Sequence, residues 1–236
     1  MVTLTKEEQQ YVDTERMMFD LDTKYKFNPK KCIVQMSNNF HPTKHLIDIL
    51  RKKYDFPKGK YNVIYADLPW QYNNKKTGGN HNSGATQKYN TIPTGILRFE
   101  ISVLINSIAA KNAVIFFWMT VPMEREQLTV FDTLDFKSKS KVFWHKNGRL
   151  GMGFWVRHQI EFMMIGIKGD VKAFRSAKRN FVHLLETPTL GHSEKPSEFR
   201  KLVETITKSM GKRKKIELFA RSPAKGWKSW GDQLGV

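Results

Sequence analysis

Tyr61-Asn62-Val63-Ile64-Tyr65-Ala66-Asp67-Leu68-Pro69-Trp70 is the stretch on which the fold turns. Val63–Ala66 is a short apolar run, the pattern of a strand buried on both faces of a parallel sheet, and it stops at Asp67. In open α/β sheets, ligands are met outside the carboxyl ends of the strands. Asp67-Leu68-Pro69-Trp70 therefore stands where chemistry is expected.

Outward from this strand, strand and helix patterns alternate. A long loop rich in Asn, Gly and Lys runs over Gln71–Asn90, and Thr94–Ile108 is helical in pattern. The buried strand Ala113–Met119 follows, then a helix over Met123–Phe131 with Pro122 suited to its first turn. Lys141–His145 and Ile160–Ile167 read as strands flanking a Gly-rich loop, Asn147–Arg157, and Phe181–Leu184 reads as a further short strand. Pro196 opens a helix to about Ser209, with Phe199, Leu202, Val203 and Ile206 on one face, and Ile216–Phe219 closes the series as a buried strand. Upstream, Glu7–Leu21 reads as a polar helix, Lys24–Lys31 as a basic, turn-rich stretch, and Pro42–Tyr54 as a helix with the stripe Leu46, Ile47, Ile49 and Leu50. Residues 1–60 thus form a basic, partly helical extension ahead of one α/β domain over 61–236. Its sheet is expected to be doubly wound and mainly parallel.

Composition narrows the function. An apolar share of 40% with 26% charged residues excludes a disordered or fibrous chain. The most hydrophobic runs, Ala113–Trp118 and Phe162–Ile167, are of strand length, so no membrane association is expected. The single cysteine, Cys32, excludes an internal disulfide and a thiolate-rich zinc site, and the histidines lack ligand spacing, so no metal is expected. Forty Lys plus Arg against 22 Asp plus Glu leave a net charge of +18. Phosphate backbones are the usual partner of such a field, with a solubility bias as the plain alternative.

The tetrapeptide suits one reaction. An adenine amino nitrogen is a poor nucleophile because its lone pair is delocalised into the ring. Two acceptors for its two hydrogens pull the nitrogen towards tetrahedral geometry. Asp67 would accept one and the Leu68 carbonyl the other, while Pro69 stiffens the turn and Trp70 offers a face for stacking. An incidental Asp-x-Pro-aromatic turn has the same sequence.

Further blocks extend the pattern. Lys88-Tyr89-Asn90-Thr91-Ile92, Val142-Phe143-Trp144-His145-Lys146 and Gly151-Met152-Gly153-Phe154-Trp155-Val156-Arg157 with Glu161 come in order. His192-Ser193-Glu194-Lys195-Pro196, Ile216-Glu217-Leu218-Phe219-Ala220-Arg221, Gly226-Trp227 and Trp230-Gly231-Asp232-Gln233 follow. Together with 61–70 they resemble the N6-adenine methyltransferase family that includes the eukaryotic messenger-RNA adenosine methyltransferase catalytic subunit. The shorter bacterial and phage members look most similar, and the likeness spans residues 61–235.

The resemblance implies a Rossmann-like, S-adenosylmethionine-dependent fold whose catalytic motif precedes its cofactor region. It implies Asp67, Leu68, Pro69 and Trp70 as the catalytic group. Asp67, Lys195, Arg221, Asp232 and Gln233 would meet S-adenosylmethionine, and Lys88, Tyr89, Trp155 and Arg157 the nucleic acid. Leu68 replaces the family's usual first proline but keeps its carbonyl. Asp232 replaces the usual asparagine and has no amide hydrogens to donate.

Trp118, Trp144, Phe116 and Phe117 lie in strand patterns and read as core. Trp155 and Tyr89 either stack on bases or pack, and Lys75, Lys76 and Lys88 either meet phosphates or are solvated. The Lys212–Lys215 run reads as a solvated turn. DNA is the expected substrate, with RNA the alternative and a catalytically silent nucleic-acid-binding subunit the reading from another class. Methylation of a protein amide is disfavoured, since such sites carry Asn at the first position. A homodimer or heterodimer is compatible with this. The N-terminus lacks a basic-then-apolar signal pattern, and a cytoplasmic location in a bacterium or phage-infected host is expected.

Overall fold

A computed structural model describes residues 1–28, 33–38, 40–71, 90–148, 156–170, 183–188 and 194–234. The expectations on Lys75, Lys76, Lys88, Tyr89, Trp155 and His192 fall outside them. The chain divides into two compact units that interleave in sequence. One comprises 1–59, 70–108 and 128–135; the other comprises 60–69, 109–127 and 136–236.

The second unit is built on β3 (Tyr61–Ala66), β4 (Ala109–Thr120), β5 (Lys137–Asn147), β6 (Ile160–Lys168), β7 (Leu184–Pro188), β8 (Lys215–Leu218) and β9 (Lys228–Trp230). They form one seven-stranded sheet among the described residues, in the order β7-β5-β6-β4-β3-β8-β9. Only β6 runs against its neighbours; the β7·β5, β4·β3, β3·β8 and β8·β9 pairs are parallel. This is the expected mainly parallel, Rossmann-like α/β sheet. β3 sits within it and is buried at five of its six positions, which accounts for its apolar, period-free sequence.

Between β4 and β5 in sequence comes α5 (Glu124–Phe131), and helix α6 (Ser197–Thr207) covers one face of the sheet. Its Phe199 and Val203 pack with Val63, Tyr65, Val114, Phe116, Trp118, Val142, Trp144 and Met163 in a single core cluster. Trp118 and Trp144 are thus core, as their strand pattern predicts. α6 is anchored by Arg200, whose guanidinium meets both carboxylate oxygens of Glu217 on β8 at 2.7 and 2.9 Å. At its other end Glu204 accepts from the Trp227 indole at 2.7 Å and from Arg213 at 3.1 Å.

The first unit holds α1 (Lys6–Asp22), a hairpin of β1 (Thr23–Asn28) and β2 (Ile33–Asn38), and α2 (Lys44–Tyr54). A continuous helical run follows from α3 (Thr94–Ile96) through a π-helical turn, Leu97–Ile101, into α4 (Ser102–Ile108). Thr43 caps α2 by accepting from the Leu46 amide at 3.1 Å, and Asp55 ends it in the left-handed region at φ 45°. Leu46, Ile49, Leu50 and Tyr54 bury its apolar stripe. The π turn carries Glu100, which is fully buried. Its carboxylate takes Arg16 of α1 on one oxygen, and Lys53 and Tyr54 of α2 on the other, each at 2.7 Å.

Three expectations need correction. Lys24–Lys31 is not mainly turn: Thr23–Asn28 pairs antiparallel with Ile33–Asn38, and the alternation Lys24-Tyr25-Lys26-Phe27 carries that period of two. Ile216–Phe219 does not close the sheet, because β9 adds itself beside β8. Three residues are too short a run for any period to register. The strand expected at Phe181–Leu184 is described over Leu184–Pro188, further along the chain; residues 181–182 lie outside the described ones. No described helix is long and apolar enough to cross a membrane.

Replacing Glu100 with alanine strands two cations on one interior point. Breaking such a cluster costs about 3 kcal/mol, the low end of the range for buried pairs, because Arg16 and Lys53 keep some contact with water. Denaturant unfolding of Glu100→Ala is expected to show that destabilisation.

Candidate active site

Five strand ends meet on the edge where β3 stops. β3 delivers Asp67 there, β4 delivers Trp118 just before its end, β5 delivers Lys146 and β8 leads to Arg221. β6 runs the other way, so its beginning, not its end, supplies Glu161; Trp144 and Glu161 are register partners. Tyr65 and Asp67 are two residues apart and share the strand face that α6 covers.

Lys195 lies two residues ahead of α6 and is the centre of this group. Its Nζ is 2.8 Å from Asp67 Oδ2 and 3.3 Å from Glu161 Oε2, and it stands 5.1 Å from the centroid of the Trp118 ring. Glu161 is bonded in turn by the Lys146 ammonium, which lies 4.8 Å from the Trp144 ring centroid. Two cations and two carboxylates thus alternate as Lys146, Glu161, Lys195, Asp67 along the edge. Burial alone would push the Lys195 ammonium down, but Asp67 and Glu161 hold it above the ordinary lysine value. Burial likewise pushes Glu161 up, and the two ammoniums outweigh it, leaving the carboxyl below its usual range. Burial raises the Tyr65 phenol beneath the site, and the same cause raises Glu217, where Arg200 opposes the shift and the charge of Asp67 adds to it.

A second group forms where β8 ends. Phe219 turns the chain in the left-handed region at φ 59°, a conformation that costs a non-glycine residue energy and often marks functional loops. The Ala220 amide donates to the Trp230 carbonyl at 2.9 Å, and the Phe219 and Trp230 rings meet at 4.9 Å. Gly231 lies so close that a Cβ would stand 2.4 Å from the Ala220 carbonyl oxygen. Only glycine fits, and this approach brings the Arg221 segment beside Asp232 and Gln233. Arg221 and Gln233 are half-buried and Asp232 is exposed. A guanidinium, a carboxylate and an amide are a donor and acceptor set suited to a carboxylate and ribose hydroxyls, the polar parts of S-adenosylmethionine.

Of the other sequence-predicted residues, Leu68 is buried, Pro69 half-buried and Trp70 only 4% exposed, with a parallel bridge between Trp70 and Ile92 inside the first unit. Arg157 is exposed, on the segment whose Gln159 carbonyl accepts from the Lys146 amide at 2.8 Å. Glu161 and Lys146 carry no role in the sequence reading, and the structure joins both to Asp67 through Lys195. A signal exists for Glu161, the one carboxylate in the otherwise apolar run Ile160–Ile167; Lys146 ends a strand that is rich in lysine from its start, and nothing local marks it out.

The MT-A70 family model matches residues 61–233. The chain belongs to the MT-A70 family. It is 33% identical over 193 residues to the Type II methyltransferase M.MunI of a Mycoplasma species, covering 75% of this chain and 79% of that protein. It is 29% identical over 191 residues to a putative N(6)-adenosine-methyltransferase MT-A70-like protein of Medicago truncatula. It is 26% identical over 188 residues to the N(6)-adenosine-methyltransferase catalytic subunit METTL3 of Homo sapiens. Both alignments cover 75% of this chain but only 27% and 28% of those longer proteins. Like its relatives, this MT-A70 chain is a methyltransferase, and methyltransferases of the family generally depend on S-adenosylmethionine.

The ion chain fixes a pH dependence. Glu161, depressed in the fold, contributes stability above its unfolded pKa of about 4.3 and loses it as pH falls through the folded value. Lys195, raised in the fold, contributes fully below about 10.4 and loses it as pH rises through its folded value. The stability advantage of the wild type over Glu161→Gln is therefore expected to be flat from about pH 5 to 10 and to shrink below about pH 4. Unfolding titrations of the two proteins at a series of pH values check it.

Proposed function

We propose that this chain methylates the exocyclic N6 amino group of adenine in DNA, using S-adenosylmethionine. The reading rests on one observation above the rest: a carboxylate, Asp67, stands at the carboxyl end of a central buried strand with one oxygen held by a lysine at 2.8 Å. Lys195 takes Oδ2, which fixes the carboxylate plane and leaves Oδ1 to accept an amino hydrogen. The Leu68 carbonyl accepts the second hydrogen, and Pro69 keeps the two acceptors aimed. When bound, S-adenosylmethionine supplies an electrophilic methyl group. The methylated nitrogen is acidic, so its proton is lost without a strong base.

Arg221, Asp232 and Gln233 hold the donor's polar groups in this reading, and Lys195 orders Asp67 beside them. Arg157 meets the nucleic acid in this reading, as do Lys88, Tyr89 and Trp155, which lie outside the described residues. Residues 61–236 carry the methyltransferase, with 1–60 as a basic extension. DNA is favoured by the likeness to a Type II methyltransferase that this chain covers over most of its length. RNA is the second reading, from relatives whose names specify adenosine.

Transfer of label from radiolabelled S-adenosylmethionine to unmethylated DNA and to RNA, assayed in parallel, tests this. Label is expected on N6 of adenine in DNA, and Asp67→Asn is expected to lower kcat by roughly 10²–10³-fold, the scale for removing one preorganised electrostatic partner. Label in RNA alone would reverse the substrate assignment. Label in neither, with the donor still bound, would leave a silent subunit.

A further inference from the structure

The opposite edge of the same sheet has a chemistry of its own. In sheet order, β5 begins at Lys137, β6 ends at Lys168, β4 carries Lys111 near its start, Lys60 immediately precedes β3, Lys214 immediately precedes β8, and β9 begins at Lys228. Six adjacent strands therefore each bring a lysine to one rim. At about 4.8 Å between strands, five intervals span roughly 24 Å. Lys137, Lys111, Lys60, Lys214 and Lys228 are exposed and Lys168 is half-buried.

The centre of this rim is tied down by its backbone. The Asn62 side chain donates to the Asn112 carbonyl at 3.2 Å and accepts from the Lys214 amide at 3.2 Å, while the Asn62 amide donates to the Lys214 carbonyl at 2.9 Å. The Asp170 amide donates to Asn112 Oδ1 at 3.0 Å, and Gly169 lies so tight on Lys111 that a Cβ would meet its carbonyl oxygen at 2.2 Å. The starts of β4, β3 and β8 are thereby fixed side by side, and with them the stems of Lys111, Lys60 and Lys214. The Lys212–Lys215 run, expected to be a solvated turn, divides in the same way. Arg213 and Lys215 turn in to Glu204, while Lys212 and Lys214 face out.

We propose that this lysine rim is a second nucleic-acid surface, which holds phosphates of a segment other than the one presenting the target adenine. Lys60 and Asp67 stand at opposite ends of β3, seven residues or roughly 23 Å apart. A lysine on the rim therefore cannot meet the phosphates beside a base held at Asp67. A row of ammoniums with no base-reading geometry recognises charge and not sequence, so its effect is on affinity and salt dependence. The proposal rests on the nucleic-acid reading above.

The test compares Lys60→Glu/Lys111→Glu/Lys214→Glu with the milder Lys→Gln triple at the same positions. A control triple, Lys6→Glu/Lys44→Glu/Lys201→Glu, makes the same charge change away from the strand ends. Binding to a 60-base-pair duplex is measured across a salt series, with methylation of unmethylated DNA at saturation alongside. Every phosphate that a variant no longer neutralises lowers the slope of log K on log salt by about 0.9. The rim triples are expected to lower it by about 2–3 with kcat unchanged, and the control to leave it in place. An unchanged slope in rim variants that still fold and methylate overturns the proposal, as does an equal drop in the control. If the wild type methylates neither DNA nor RNA while the rim still sets the slope, the methyl-transfer reading fails and the rim stands.

Discussion

The position of Lys195 governs the site. An ammonium buried to this degree is tolerated only where carboxylates face it, because removing a cation from water without a partner costs several kcal/mol. Asp67 and Glu161 meet that requirement together. Their arrangement draws on three separate parts of the chain: the end of β3, the start of β6 and the residue pair ahead of α6. Tying these together positions the very carboxylate on which the proposed chemistry depends.

The reversal of β6, the one strand among the described residues of the seven-stranded sheet to run against its neighbours, has a specific consequence here. Were β6 parallel to β4 and β5, its first residues would lie on the far edge, with the lysine rim, and Glu161 would be out of reach of Lys195. Reversal brings Glu161 beside Trp144 in register, two positions short of Lys146, which then closes the chain. α6 depends on the same sheet from the other side. Its Phe199 lies 4.7 Å from the Trp118 ring, and Arg200 is clamped on Glu217, so the segment delivering Lys195 has little freedom to withdraw.

Much of this is legible in the residues. Val63–Ala66 announces a buried strand by its lack of alternation, Asp67 stands out as the charge that ends it, and Pro196 marks the start of α6 through its fixed φ. The pairing of Thr23–Asn28 with Ile33–Asn38 is harder to read although the alternation of the first strand is present, because lysines and Pro29 argue for turn. β9 is beyond reach: Lys228–Trp230 is a strand by pairing, with no pattern of its own. The partnership of Lys146 and Glu161 is hidden for a different reason. They are 15 residues apart in sequence, and only the direction of β6, which a run such as Ile160–Lys168 does not encode locally, places them together.

The charges at the two edges of the sheet follow different rules. On the carboxyl edge each ammonium of the chain is matched by a carboxylate, so Lys146, Glu161, Lys195 and Asp67 sum to zero. A neutral, preordered group of this kind can face a cationic donor on one side and an anionic nucleic acid on the other without favouring the wrong one. Removing a member does more than delete one interaction: Glu161 is one of two carboxylates that face Lys195, so its loss alters the ammonium that holds Asp67. On the amino edge lysines recur along six adjacent strands, a spacing set by the sheet. The net charge of +18 is thus unevenly distributed where it matters. Matched charge stands where geometry must be fixed for chemistry, and a row of ammoniums where only attraction is needed.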